Sequence, residues 1–341
     1  MNRIIRSSLT RIADIDNFTV QALGREEWEW SDYVVAEVTE PTPLSSLVEL
    51  TNGRGVRVGT FDQIMGAFST RYATLEATGS WEDIGDDLRM EAMTAAGMFG
   101  ILTSRSPYFQ GTIKLRYVGH VLVEGRKQNM RDFVVPVPDL EFNTPVLMIV
   151  GSSMSAGKTS SARIIIRELK AMGLKVIGAK LTGAGRYRDI LAMGDAGADA
   201  IYDFVDVGLS STVCPPALYR DAMRKLLSRI EAEKADVVVV EAGASPLEPY
   251  NGDTITEMLA PHIKMTVLCA TDPYSVVGIM EAFGKEPDLV AGISCNTEAG
   301  ISLIRKLTGV PALRLMGRKN YPELDKMLSV KFGNLGRSQG R

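Results

Sequence analysis

Histidine and cysteine are scarce in this chain of 341 residues, and the scarcity removes whole classes of chemistry. Two histidines, His120 and His262, leave little from which to build a histidine-rich metal centre or a Ser-His-Asp triad. Three cysteines, Cys214, Cys269 and Cys295, are an odd number with no C-x-x-C spacing, which argues against both a disulfide framework and a zinc knuckle. Cys269 and Cys295 lie in apolar runs and are expected as buried thiols. No stretch reaches the ~20 apolar residues that span a bilayer, and "MNRIIRSSLTRIADID" lacks the apolar core of a signal peptide, so a cytoplasmic protein is expected. An excess of one charge is missing too. With 38 Lys and Arg against 41 Asp and Glu, a net charge of −3 gives no field to gather nucleic acid or an anionic membrane. Small molecules and other subunits are the expected partners.

What is present is a globular composition, 45% hydrophobic and 23% charged, long enough for two domains at ~100–200 residues each. Over residues 1–138 short alternating pieces predict strands: "YVVAEVT" (33–39), "GVRVGT" (55–60), "ATLEAT" (73–78) and "TIKLRYVGHVLV" (112–123). "DDLRMEAMTAAGMFG" (86–100) reads as a helix ended by glycine. This first domain is therefore β-rich and of mixed α+β type, a small barrel being one arrangement that fits. His120 in its last strand is expected to be structural, and Trp28, Trp30 and Trp81 to pack in cores and turns. The proline-rich segment "VPVPDLEFNTP" (135–145) reads as the linker.

Beyond it, over 139–317, apolar runs alternate with helical stretches. The runs are "VLMIV" (146–150), "KVIGAK" (175–180), "DVVVVEA" (236–242), "MTVLCA" (265–270), "LVAGISC" (289–295) and "PALRLM" (311–316). Such runs describe a parallel sheet covered on both faces, a doubly wound α/β domain. Residues 318–341 form a basic tail, expected as a short helix followed by a frayed end.

The chemistry concentrates in "GSSMSAGKTSS" (151–161), between a strand and a helix. In a P-loop, backbone N–H groups cradle phosphate, a lysine reaches the outer phosphates, and a Ser or Thr hydroxyl ligates magnesium. Lys158 and Thr159 hold those places, with Gly151, Ser152, Ser153, Ser155, Ala156, Gly157 and Ser160 around them. The usual spacing puts glycine at 152. Here Gly151 stands one residue earlier, and the lengthened loop keeps its N–H donors.

The order G-x-x-x-x-x-G-K-T, helix, "LKVIGAKLTG" resembles dethiobiotin synthetase and its P-loop relatives in cobyrinic acid synthesis, over about residues 145 to 316. That resemblance implies a P-loop NTPase fold, ATP (or another nucleoside triphosphate) with Mg²⁺, and often a dimer. It also implies a lysine at the end of the second strand, Lys180, a Thr-Gly pair, Thr182 and Gly183, an acid after the "VVVV" strand, Glu241, and an asparagine near the base, Asn296. A second resemblance, in "YDFVDVGLS", the acid strand and "VLCATDP", is to an incompletely characterised P-loop family (DUF1611-like) that includes a D-amino-acid N-acetyltransferase. It implies acetyl-CoA as an alternative occupant of the loop. The chain departs from dethiobiotin synthetase in "EAGAS" and in Leu181 where that family has proline, so the substrate does not carry over. Nor does the resemblance reach the first domain.

Hard Mg²⁺ takes oxygen ligands and keeps several waters. Thr159 and Glu241 are the expected ligands, with Asp189 or Asp203 completing the shell. Lys158, Lys180 and Glu241 are the candidate catalytic groups. Asn251 and Asp253, in the turn-rich segment after the acid strand, are candidate substrate contacts. Arg186 and Arg188 beside Tyr187 offer an anion clamp. The leading expectation is an ATP- and Mg²⁺-dependent kinase- or ligase-type enzyme acting on a small carboxylate-type metabolite. The rivals are an N-acyltransferase gripping coenzyme A and a nucleotide-controlled binding module. A homo-oligomer is expected, with neither nucleic acid nor membrane as partner.

Overall fold

The computed structural model describes residues 4–41, 46–243, 245–317 and 320–335. The chain forms two compact units, the first comprising Met1–Pro136, Ala184–Arg188 and Phe204–Val213, the second Val137–Gly183, Asp189–Asp203 and Cys214–Arg341.

In the first unit the strands Gln63–Phe68, Tyr33–Glu40, Ile113–Val123, Arg89–Thr94 and Met98–Arg105 are neighbours in that order. A short parallel pairing of Met98 and Phe99 with Ala67 and Phe68 returns the path to its start, closing a barrel. Closure leaves these strands no free edge on which another chain could pair. Alternate residues point inward, so Val34, Ala36 and Val38 meet Ile64, Phe68, Phe99, Leu115 and Tyr117 in one core. Trp28 stacks on Phe68 with ring centroids 4.6 Å apart, and His120 is fully buried, its Nδ1 2.6 Å from the Tyr117 hydroxyl.

Three sequence expectations fail. Residues 86–100 are not a helix but the strands Arg89–Thr94 and Met98–Arg105, joined by a tight turn in which Gly97 takes φ +90°. Met90, Glu91, Ala92 and Met93 are all buried, so both faces of this strand are covered and no alternation betrays it. Methionine and alanine favour helix by intrinsic propensity, and here the tertiary pairing overrides them. Residues 73–78 are the tip of a hairpin, with Ala73 opposite Ala77, rather than a strand. In the second unit 311–316 contributes a single bridge, Val290 to Ala312.

The second unit is built on six parallel strands, β1 (Val146–Gly151), β2 (Val176–Thr182), β3 (Ala200–Asp203), β4 (Val237–Ala242), β5 (Ile263–Cys269) and β6 (Leu289–Ala291). Their order across the sheet is β3-β2-β4-β1-β5-β6. Between them run α1 (Lys158–Ala171), α2 (Tyr187–Gly194), α3 (Pro216–Ala232), α4 (Gly252–Leu259) and α5 (Pro273–Phe283), and α6 (Glu298–Thr308) follows β6. The four residues before Glu241 are valines with no exposed surface, the composition of a strand covered on both faces. This is the doubly wound α/β fold with a parallel sheet expected from the sequence. Because β1 lies inside the sheet with β4 and β5 on either side, its carboxyl end opens where the strand order reverses, the place at which such sheets bind ligands.

A last helix, α7 (Tyr321–Phe332), buries Leu324, Leu328 and Phe332. The end expected to fray, 336–341, lies outside the described residues. Among the described residues no helix is long and apolar enough to cross a membrane.

Candidate functional site

The loop after β1 turns through Ser155 (φ +64°) and Gly157 (φ +101°) into α1. No side chain caps α1, so the N–H groups of its first turn are left for an anion. Glycine is required on both sides of the tightest approach. A Cβ on Gly292 (φ +87°) would stand 2.3 Å from the Ala156 carbonyl oxygen, and one on Gly157 would stand 3.1 Å from Gly292 Cα. The Ile293 N–H donates to Ala156 O at 3.2 Å, and the Ser152 N–H to Cys269 O at 3.0 Å. The Ser152 hydroxyl in turn accepts from the Thr271 N–H at 3.1 Å. The loop is thus pinned at both ends to the turns that follow β5 and β6.

Lys158 is buried and donates from Nζ to Ser153 O at 2.7 Å. Desolvation lowers its pKa, against the opposing pull of the Glu241 carboxylate. Thr159 donates from Oγ1 to Glu241 Oε2 at 3.0 Å. Glu241 ends β4 in register with Lys180 of β2, and Lys180 is in register with Asp203 of β3 on its other side. Lys180 Nζ donates to Asp189 Oδ2 at 2.7 Å. Burial alone would lower the Lys180 pKa, but Asp189, Glu241 and Asp203 outweigh it and hold the ammonium charged. Burial raises the Glu241 pKa, and Asp189 adds to the rise. Lys180, Lys158 and the Thr159 hydroxyl only partly offset it.

The expected residues therefore divide. Lys158, Thr159, Lys180, Glu241 and Asp189 form one connected charged group. Asp203 is buried across β2 from Glu241. Thr182 donates from Oγ1 to Gly243 O at 3.0 Å and so ties the ends of β2 and β4, while Gly183 turns the chain at φ +123°. Asn251 is buried in the turn before α4, donating from Nδ2 to Cys214 O at 3.0 Å. Asp253 is exposed and accepts from the Thr254 N–H at 2.7 Å. Asn296 and Ser160, with Gly157, Gly292 and Leu315, line a cleft of about 120 Å³. Cys269 and Cys295 are buried, and desolvation pushes the Cys269 thiol up to about 12.

Sequence reasoning missed Gly292, Thr271 and Leu315. A glycine interrupting "LVAGISC" was the available signal for the first. Thr271 precedes the Asp272-Pro273 start of α5, whose Asp272 caps the helix by accepting from Ser275 N.

Among the described residues no three His, Cys, Asp or Glu side chains converge as a metal cage. That suits Mg²⁺ on a phosphate, which takes one or two protein oxygens and completes its shell with waters and phosphate. The half-buried Thr159 hydroxyl and the buried Glu241 carboxylate are a hard-oxygen donor set of that size.

No family model matches the chain, and no curated protein matches it. Solved structures similar to it include FtsY of Mycoplasma mycoides, 16% identical with a TM-score of 0.35, over 52% of this chain and 61% of that one. HypB of Helicobacter pylori in complex with nickel is 15% identical, TM-score 0.39, over 57% of this chain and 89% of that one. A DUF1611 family protein of Anabaena variabilis is 14% identical, TM-score 0.37, over 56% of this chain and 61% of that one. The chain thus spans about three fifths of the FtsY structure's length. At such scores these likenesses carry no argument about activity, which has to come from the site.

Proposed function

We propose that the protein is an ATP- and Mg²⁺-dependent enzyme that phosphorylates or otherwise activates a small carboxylate-type metabolite. The observation that carries this reading is the burial of Lys158, Glu241 and Lys180 at the carboxyl edge of a parallel sheet, with the half-buried Thr159 hydroxyl hydrogen-bonded to Glu241. Two buried lysines offset the charge of a triphosphate, and the uncapped N-terminus of α1 adds N–H donors. Thr159 and Glu241 would hold Mg²⁺, and the ion would supply further charge neutralisation on the phosphate oxygens. Asp189 fixes the Lys180 ammonium as a point charge facing the same group. Asn296 is read as a contact for the base and Asp203 as an outer partner of the metal's waters.

A coenzyme A cradle could use the same loop but has no need of the Thr159–Glu241 pair, whose chemistry is that of a hard cation. We further take the enzyme to act as a homo-oligomer. The apolar residues Tyr274 and Val277 exposed on α5 support this, and sedimentation velocity checks it.

The test of function is phosphate release from ATP in the presence of Mg²⁺ across a panel of small carboxylates. The proposal requires at least one carboxylate to accelerate release in the wild type and none to do so in Lys158→Ala. No acceleration by any carboxylate, together with acyl transfer from acetyl-CoA, overturns it.

A further inference from the structure

An opening in the first unit shares no lining residue with the group of Lys158, Thr159, Lys180 and Glu241. It is a cavity of about 460 Å³ whose lining includes Glu49, Arg71, Glu76, Phe109, Arg186 and Arg188. That volume falls within the ~300–1,000 Å³ of small-molecule sites. The charge inside it is lopsided. The Glu49 carboxylate is consumed: it accepts from the Tyr187 and Arg188 N–H groups at 2.8 Å each and from the Ser8 hydroxyl at 2.5 Å. This also satisfies the N-terminus of α2, so the helix end is not the attraction. Glu76 is consumed by Arg71, which is buried, donates to Met93 O and lies over the Phe109 ring at 5.1 Å. What remains is the guanidinium pair of Arg186 and Arg188, both exposed, neither in an ion pair among the described residues.

We propose that this cavity binds a small dianionic metabolite, a dicarboxylate, clamped by Arg186 and Arg188 with its carbon chain against Phe109. Guanidinium forks match carboxylates two oxygens at a time. Two of them on alternate residues call for two anionic ends, and the aromatic wall and the volume exceed what a bare phosphate fills. The inference stands apart from the nucleotide reading, because every residue in it belongs to the first unit and no nucleotide is needed for the test.

The test is calorimetric titration of the full chain, without nucleotide, with succinate and glutarate. Inorganic phosphate and neutral succinamide serve as comparison ligands. The proposal requires saturable binding of at least one dicarboxylate, none of succinamide, and a loss of at least tenfold in the Arg186→Ala/Arg188→Ala double variant. Both side chains are exposed, so the variant should fold, and ATP binding, which uses neither, should be unchanged. Phosphate binding as tightly as the dicarboxylates overturns the assignment in favour of a phosphate site. Absent binding, or binding indifferent to the double substitution, overturns the site itself.

Discussion

Asp32 of the first unit and Glu241 of the second are both buried carboxylates in polar clusters, and the two are treated in opposite ways. Asp32 of the first unit has no exposed surface and is surrounded by donors: Lys127 Nζ at 3.0 Å, Asn129 Nδ2 at 2.9 Å and the Glu29 N–H at 2.8 Å. His120 Nε2 adds a close electrostatic contact at 3.2 Å, off the line of a hydrogen bond. Burial would raise its pKa, but His120, Asn129 and Lys127 more than reverse that, so it is held below 3.8. Glu241 of the second unit is as deeply buried, yet among the described residues it accepts one hydrogen bond, from Thr159, and its pKa is driven above 4.5. A carboxylate with every lone pair answered is architecture. One left short of donors, beside two lysines at a sheet edge, is the one we propose receives a cation that arrives with its ligand.

The largest expected effect lies in the second unit and in binding. Lys158→Ala should weaken ATP at least roughly 100-fold, about 2.7 kcal/mol, as read by calorimetry. Stability without nucleotide should hold or rise, since a desolvated cation is removed. Next, the carboxylates should part in urea denaturation at neutral pH. Asp32→Ala takes the acceptor from the Asn129 amide and the Glu29 N–H and one of the two carboxylates from Lys127, and should cost about 3–5 kcal/mol, whereas Glu241→Gln should cost less than about 1 kcal/mol or stabilise. Equal losses would erase the distinction.

The pH dependence sharpens the comparison because the signs are opposite. Asp32 is depressed in the folded state, so its stabilisation is present above pH 3.8 and is lost as pH falls through the folded value. Glu241 is raised, so it carries no penalty below pH 4.5 and an increasing one as pH climbs through its folded value. The advantage of Glu241→Gln over wild type should therefore grow above pH 4.5, while the deficit of Asp32→Asn should shrink below pH 3.8. Urea midpoints across pH 3 to 7 check both. The smallest effect marks the baseline: Arg224→Ala breaks a fully solvated pair with Asp221 and should move stability by less than about 0.5 kcal/mol.

The two units also differ in how far they were legible. Strands β1, β2, β4 and β5 read directly because covering both faces of a parallel sheet demands uninterrupted apolar runs. Lys158, Thr159, Lys180 and Glu241 read with them, since each sits at the end of such a run or at the turn that follows. In the barrel the same double covering misled, because Met90 to Met93 are rich in helix formers and lack the glycine and β-branched cues that separate strand from helix. β3 was missed because four residues, "AIYD", carry no period. That 184–188 and 204–213 join the first unit could not be read locally: they are short loops after β2 and β3, and nothing in a loop names the core it packs on. Gly292 showed only as a glycine interrupting an apolar run, because its need arises from Ala156, more than a hundred residues away.

The central claim is that the loop after β1, with Thr159 and Glu241, binds a Mg²⁺–nucleotide. It is tested most directly by titrating ATP into wild type, Lys158→Ala and Glu241→Gln, each with and without Mg²⁺, GTP serving as the comparison nucleotide. The account predicts that Mg²⁺ tightens nucleotide binding in the wild type, that this gain vanishes in Glu241→Gln, and that Lys158→Ala weakens binding at least roughly 100-fold. Nucleotide binding indifferent to Mg²⁺ and to both substitutions would contradict it.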